Sequence, residues 1–245
     1  MSGKPSVVRV NGTYLKMIEA GKGGPTLVFL HYWGGSSRTW SAVVADLAAY
    51  HRCVSLDFRG WGRSDKQAGA YELETLANDV IGVIGELGLG NYVIIGHSMG
   101  GKVAQIVAAT APNGLRRLIL VAPAPPTSLG VPEEQRAGML ASYQSWEGAE
   151  KVVGILSALP LNDAQRQQVI EDMLCGYRAA KREWPERGIM ADIADNARRI
   201  AVLVHVIVGD ANRIEPEQAL RSAFGDVVPN TGFTVLPGRG APRSA

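Results

Sequence analysis

The sequence predicts an α/β fold, with a mostly parallel central sheet, helices on both of its faces and an inserted helical lid. Three observations carry this prediction. Short apolar runs of strand length recur along the chain, and helical patterns lie between most of them. The alternation breaks once, over residues 124–198.

The elements follow in order. Residues 7–10 and 13–19 are β-like stretches joined by Asn11-Gly12, a pair suited to the positive φ angles of a tight hairpin. Thr26–Leu30 is continuously apolar, as expected of a strand buried on both faces. Further strands are read at Cys53–Leu56, 92–95, 118–121, 202–208 and 233–236, and helices at 39–50, 73–87, 99–110 and 216–224. No strand pattern occurs between Ala124 and about Arg198. Within that stretch Asn162 and Gln165 have the spacing of a capping box, opening a helix towards Tyr177. Pro123, Pro125 and Pro126 mark its start as a hinge-like loop. Residues 1–123 and 199–245 are therefore expected to form the core and 124–198 the lid, the alternative being ordinary helices that cover the sheet. The sequence ends at Ala245, so a helix after the last strand is expected to be missing.

Composition narrows the class. The 245 residues are 46% hydrophobic and 20% charged, a balance that fits one large globular domain or two small ones. A net charge of +2 without a basic stripe argues against a nucleic-acid partner. Glycine, at 29 residues, exceeds the ~7% average and implies many tight turns. Cys53 and Cys175 are too few for a disulfide framework or a CxxC metal site, and read as free thiols in a reducing compartment. The first residues lack the apolar stretch of a secretory signal, and the apolar run at 200–208 is far short of the ~20 residues that span a bilayer. A soluble, cytoplasmic protein without a membrane partner is expected.

The chemistry is carried by Gly96-His97-Ser98-Met99-Gly100, which sits between an apolar strand and a helix. A serine on such a turn is held with its hydroxyl exposed, and the flanking glycines remove side chains that would clash. The first amides of the following helix are unpaired and point at any developing negative charge. Upstream, Leu30-His31-Tyr32-Trp33-Gly34-Gly35 follows one strand, and Asp57-Phe-Arg-Gly-Trp-Gly-Arg-Ser-Asp65 follows the next. In this order and spacing the three segments resemble the oxyanion loop, the Asp-x-Arg-Gly-x-Gly-x-Ser loop and the nucleophile elbow of the α/β-hydrolase family. The resemblance covers nearly the whole chain. It implies Ser98 as nucleophile, the backbone N–H groups of Trp33 and Met99 as the oxyanion hole, and a small-molecule acyl substrate. It implies no metal and no cofactor. Around this core, His97 is expected to point away from Ser98, and His31 to brace its loop. Asp57, Arg59 and Asp65 are read as loop organisers, His205 as a core residue and His51 as exposed. Trp33, with Trp146 or Trp184, is a candidate to line an acyl pocket, and Trp40 and Trp61 are read as packing.

A serine hydroxyl needs a histidine to take its proton and an acid to orient that histidine. The family places the acid in a Gly-x-x-Asp-x-x-x-Pro stretch, which here is Gly209-Asp-Ala-Asn212-Arg-Ile-Glu-Pro216. The acid position is thus Asn212, with Asp210 as a fallback. The family's histidine follows Pro-Gly-x-Gly, and Ala241 stands at that place. In serine proteases, replacing the triad aspartate with asparagine costs about 10⁴ in turnover, and a missing histidine removes the base. The expectation is a carboxylesterase-type serine hydrolase scaffold with feeble or absent turnover. Serine at the elbow argues against the dehalogenase and epoxide-hydrolase branches, which need a carboxylate there. The alternative is a non-catalytic ligand-binding protein on the same scaffold, and a third reading is an altered copy of an active enzyme. A homodimer through an uncovered face of the last strand is a further expectation.

Overall fold

The computed structural model describes residues 3–157, 160–212 and 214–240. Strands β1 (Lys4–Val10) and β2 (Thr13–Ala20) form the hairpin, with Asn11 and Gly12 at φ +48° and +77°, as the tight turn requires. Strand β2 pairs antiparallel with β4 (Cys53–Leu56), and β4 pairs parallel with β3 (Thr26–Leu30), all five of whose residues are buried. Next to β3 comes β5 (Tyr92–His97), then β6 (Leu115–Val121), β7 (Leu203–Ala211) and β8 (Gly232–Gly240), all parallel. The order β1-β2-β4-β3-β5-β6-β7-β8 leaves β3 in one direction and returns to its other side. Such a switch point opens a crevice at the carboxyl ends of its strands, here between β3 and β5. Leu30 lies beside Gly96, so the loops after both strands meet there.

Helix α1 (Ser41–Leu47) covers one face, where Val44 and Trp40 pack with Phe29, Val93 and Ile95. Helices α2 (Leu73–Glu86) and α3 (Met99–Ala109) cover the other face, under the larger core cluster. All of α3 is buried, so its apolar sequence is interrupted only by Lys102 and Gln105. Between β6 and β7 lie α4 (Glu133–Ser142), α5 (Trp146–Leu156), α6 (Asp163–Cys175), α7 (Arg178–Glu186) and α8 (Ala194–Ala197), with no strand among the described residues. Asn162 and Gln165 cap α6 reciprocally. Helix α9 (Glu217–Gly225) inserts Leu220 and Phe224 into the larger cluster.

Some boundaries differ from the sequence reading. The helix expected at 39–50 begins as a 3₁₀ turn, Ser37–Trp40, capped by Ser36, and α1 ends at Leu47. Strand β8, read at 233–236, continues through Pro237 and Gly238 to Gly240. It is an edge strand, where the missing N–H of proline costs no ladder bond. His205 is not a core residue. Val204, Val206 and Val208 face the larger cluster, whereas His205 lies half-buried on the opposite face, its Nε2 2.8 Å from Thr234 Oγ1. On that face Leu203 and Leu236 are 57% and 41% exposed. His51, expected to be exposed, is half-buried with Nδ1 3.1 Å from the carbonyl of Pro25.

Candidate active site

Ser98 joins β5 to α3 with φ 51° and ψ −117°, a conformation costly for any residue with a side chain. Its neighbours hold it there. The Ser98 N–H donates to Val121 O at 3.2 Å, and its carbonyl accepts from the Gly101 and Ala124 amides at 2.9 and 3.1 Å. The glycines are there for space. A Cβ at Gly96 would lie 2.5 Å from Gly100 O, and one at Gly100 would lie 2.4 Å from His31 O. The helix must approach both strands this closely for Ser98 to stand at the crevice. Its hydroxyl is half-buried and makes no hydrogen bond among the described residues.

The loop after β3 is braced from below. His31 is fully buried; its Nε2 accepts from the Phe58 N–H at 3.2 Å, which leaves the proton on Nδ1 to donate to Tyr32 O at 2.7 Å. Burial pushes its pKa down to about 4, so it is a neutral strut. Asp57 ties this loop to its neighbour by accepting from the Ser37 and Arg63 amides at 2.5 and 2.8 Å. Arg59 and Asp79 form a buried two-pronged pair, and Asp65 accepts from the Tyr14 amide. These three loop residues organise backbone. Gly34 takes φ +91°, whereas Tyr32 is not among the residues with positive φ, so the loop accepts a side chain there without strain. Neither the Trp33 nor the Met99 N–H donates to any group among the described residues. Two unpaired amides thus flank the crevice, one from each loop.

No histidine reaches Ser98 by a hydrogen bond among the described residues. His97 packs instead against Tyr32 and Trp40, with ring centroids 5.1 and 6.2 Å away, and burial lowers its pKa to about 4. Asn212 closes its own loop, its Oδ1 accepting from the Ile214 and Glu215 amides at 3.0 and 3.3 Å. Asp210 is exposed, and its carboxylate bonds to no group among the described residues. Ala241 and any helix after the last strand lie outside the described residues, and Gly240 pairs with Ala211, next to Asn212.

Trp40 and Trp61 are buried in the core as read, and the other tryptophans depart from the sequence reading. Trp33 is buried at 6% exposure, stacked on Tyr143 with ring centroids 3.8 Å apart. Trp146 is 49% exposed on α5. Trp184 is buried and borders, with Trp61, Tyr71, Leu76 and Met99, a cavity of about 10 Å³, the space of one water. A depression of about 470 Å³ at Asn11, Thr75 and Asn78 includes none of the crevice residues.

Sequence reasoning missed three polar links. Lys102, fully buried, donates to the carbonyls of Thr127 and Ala191, at the two ends of the helical segment, at 3.0 and 2.5 Å. Burial pushes Lys102 down to about 8 and nearby Glu215 up to about 7, and their mutual attraction opposes both shifts. Asp172 of α6 accepts from Ser36 Oγ at 2.9 Å and Arg38 Nη2 at 2.7 Å, seating α6 on the loop after β3. Tyr143 donates to the Trp33 carbonyl at 3.0 Å. A lysine inside the apolar run of α3 was a legible signal; the other partners lie far apart in sequence. No group of three or more His, Cys, Asp or Glu side chains is placed to hold a metal among the described residues.

A parallel sheet with a strained serine at its switch point defines an α/β protein of hydrolase type. The chain belongs to the alpha/beta hydrolase fold family, whose model matches residues 25–149. It is 36% identical over 197 residues to the dihydrolipoyllysine-residue acetyltransferase component of the acetoin cleaving system of Pseudomonas putida, covering 80% of this chain and 52% of that one. With a putative non-heme chloroperoxidase of Synechocystis it shares 26% identity over 243 residues, or 88% and 84% of the two chains. An esterase from Exiguobacterium antarcticum superposes with a TM-score of 0.87 at 20% identity, over 98% of this chain and 92% of that one. The chain spans about half the length of the acetoin-system relative. No helix among the described residues is long and apolar enough to cross a membrane.

Proposed function

We propose that this chain is a serine hydrolase of carboxylesterase type, acting on a small ester or related acyl compound. The observation that carries the reading is the strained Ser98 between two unpaired amides, those of Trp33 and Met99. Strain at a polar residue persists only where surrounding contacts over-determine it, and it clusters at functional sites. In this reading Ser98 Oγ bonds to the substrate carbonyl carbon and the hydroxyl proton passes to solvent. The two amides receive the negative oxygen, the alcohol leaves with a proton, and water then releases the acid from the acyl-enzyme. The esterase named among the structural neighbours fits the same class. Residues 124–198 act as a lid over the crevice, and the protein works as a soluble, cytoplasmic enzyme. Asn212 turned into its own loop, and Ser98 without a histidine partner among the described residues, favour slow turnover. Oxyanion binding and positioning alone leave about 10³–10⁴ over the water reaction.

The same two features favour a second reading, a ligand-binding protein that keeps the crevice without the proton relay. Turnover of p-nitrophenyl acetate by the wild type and Ser98→Ala separates the two. The hydrolase reading expects slow hydrolysis above the water rate that disappears in the variant. Equal rates in both would overturn the hydrolase reading and leave the binding protein.

A further inference from the structure

The Trp33 residue is held from the helical segment at three points. Its carbonyl accepts from Tyr143 Oη at 3.0 Å, and its indole Nε1–H donates to the Lys181 carbonyl at 3.0 Å. Its ring lies on that of Tyr143, with an interplanar angle of 11°. Lys181 Nζ donates in turn to the carbonyls of Tyr143 and Leu174, both at 2.8 Å. The bonds form a closed circuit: Tyr143 side chain to Trp33 backbone, Trp33 side chain to Lys181 backbone, Lys181 side chain to Tyr143 backbone. Tyr143 is 1% exposed, and its ring occupies the space over Gly34, where a Cβ would come within 2.4 Å of it.

The one polar group of Trp33 left outside this circuit is its N–H. With the carbonyl and the indole both fixed, rotation about φ and ψ of Trp33 is blocked, and so is the direction of that amide. A preorganised donor stabilises developing charge because it needs no reorientation when the charge appears. Loops of this size, left to themselves, do not supply such rigidity.

We infer that Tyr143 is a positioning residue for the oxyanion amide of Trp33, with Lys181 closing the circuit, so that the oxyanion site is complete only when the helical segment is seated. This rests on the hydrolase reading. The segment then does more than roof the crevice. It carries part of the machinery, although neither Tyr143 nor Lys181 touches the reacting atoms.

The test uses a pair of phosphorofluoridates on the full chain, one with a P=O and one with a P=S group. In both, Ser98 Oγ forms a bond to phosphorus, the P–F bond breaks, and fluoride and the hydroxyl proton leave to solvent. The oxygen of P=O accepts strongly from oxyanion amides and the sulfur weakly, so the ratio of the two labelling rates reports on the amides rather than on Ser98. Tyr143→Phe keeps the ring stack and removes only the hydroxyl. It is expected to slow P=O labelling about tenfold, a fraction of the 10²–10³ attached to a whole oxyanion donor, and P=S labelling less than twofold. Lys181→Met is expected to lower the ratio in the same way, and it decides the matter should Tyr143→Phe fail to fold. Trp146→Ala, on an exposed part of the same segment, is expected to keep both rates. Equal slowing of both reagents in Tyr143→Phe and Lys181→Met, no slowing of either, or the same change in ratio for Trp146→Ala would overturn the inference. Wild-type labelling no faster than that of Ser98→Ala would instead overturn the hydrolase reading, and this inference with it.

Discussion

The turn at Ser98 and the loop at Asn212 are held in opposite ways. Ser98 sits in a disfavoured conformation that the surrounding backbone imposes, with Gly96 giving way to the start of α3 and Gly100 to the end of β3. Asn212 satisfies itself, accepting from two amides of its own loop. The first region stores strain and leaves a hydroxyl unpaired among the described residues; the second is relaxed and directs its polar atom inward. Lys102 and Glu215 link them electrostatically, one from the helix after Ser98 and the other from the loop of Asn212. Strain marks the region where the geometry itself is needed. The relaxed loop is built for closure, and nothing in its bonds distinguishes an acid from an amide.

The comparison breaks most severely at Gly100. A methyl group there would meet two backbone oxygens, those of His31 at 2.4 Å and Leu30 at 2.7 Å, which cannot swing aside. Gly100→Ala is expected to destabilise the fold by on the order of 3–5 kcal/mol, read from urea unfolding. Unfolding within about 1 kcal/mol of wild type would mean that the close approach is not what holds Ser98.

The link between the regions predicts a pH dependence. Glu215 has its pKa raised from 4.5 to about 7 by burial, so it binds a proton more tightly in the folded chain. Its contribution is fully present below pH 4.5 and is lost as pH rises to about 7. Lys102, lowered from 10.5 to about 8, has the opposite sense, its stability being lost as pH falls from 10.5 to about 8. Both groups are charged between 7 and 8, where the pair is least favourable. Between pH 4.5 and 7 the wild type is expected to lose on the order of 2–3 kcal/mol relative to Glu215→Gln. Parallel stability curves for the two proteins would show that Glu215 does not titrate in this window.

How far the sequence reached follows the same division. Thr26–Leu30 and Cys53–Leu56 were legible to the residue because central strands buried on both faces read as unbroken apolar runs. The Ser98 turn was legible because its strain demands glycine at fixed offsets. The start of α1 was not, since Ser36 caps a 3₁₀ turn whose Ser37 amide is anchored by Asp57, 20 residues away. The open face of β7 was hidden because Leu203 and Ile207 are apolar although they face away from the larger core. Tyr143 and Lys181 gave no local sign, meeting Trp33 across 110 and 148 residues.

Relief of strain at Ser98 is the next smaller effect. Glycine adopts positive φ without a Cβ penalty, which offsets its own greater loss of backbone freedom. Ser98→Gly is expected to stabilise the chain by about 1 kcal/mol while abolishing labelling by the phosphorofluoridates. Lower stability would indicate that the side chain makes contacts worth more than the strain it suffers.

Asn212→Asp tests the relaxed side of the comparison and should do least. A carboxylate oxygen accepts from the Ile214 and Glu215 amides as readily as the carboxamide does, so the loop keeps both bonds. The added charge lies in a half-buried loop within reach of water, and thermal unfolding is expected to move by no more than about 0.5 kcal/mol. Activity should stay equally flat, because an acid helps catalysis only by orienting a histidine, and none is bonded to Ser98 among the described residues. A rise in p-nitrophenyl acetate turnover of tenfold or more from this single change would require a base that Ser98 can reach. That base would have to lie within the loop's own reach, and the contrast between a strained, finished elbow and a self-closed acid loop would then be a matter of one atom, Nδ2 in place of an oxygen.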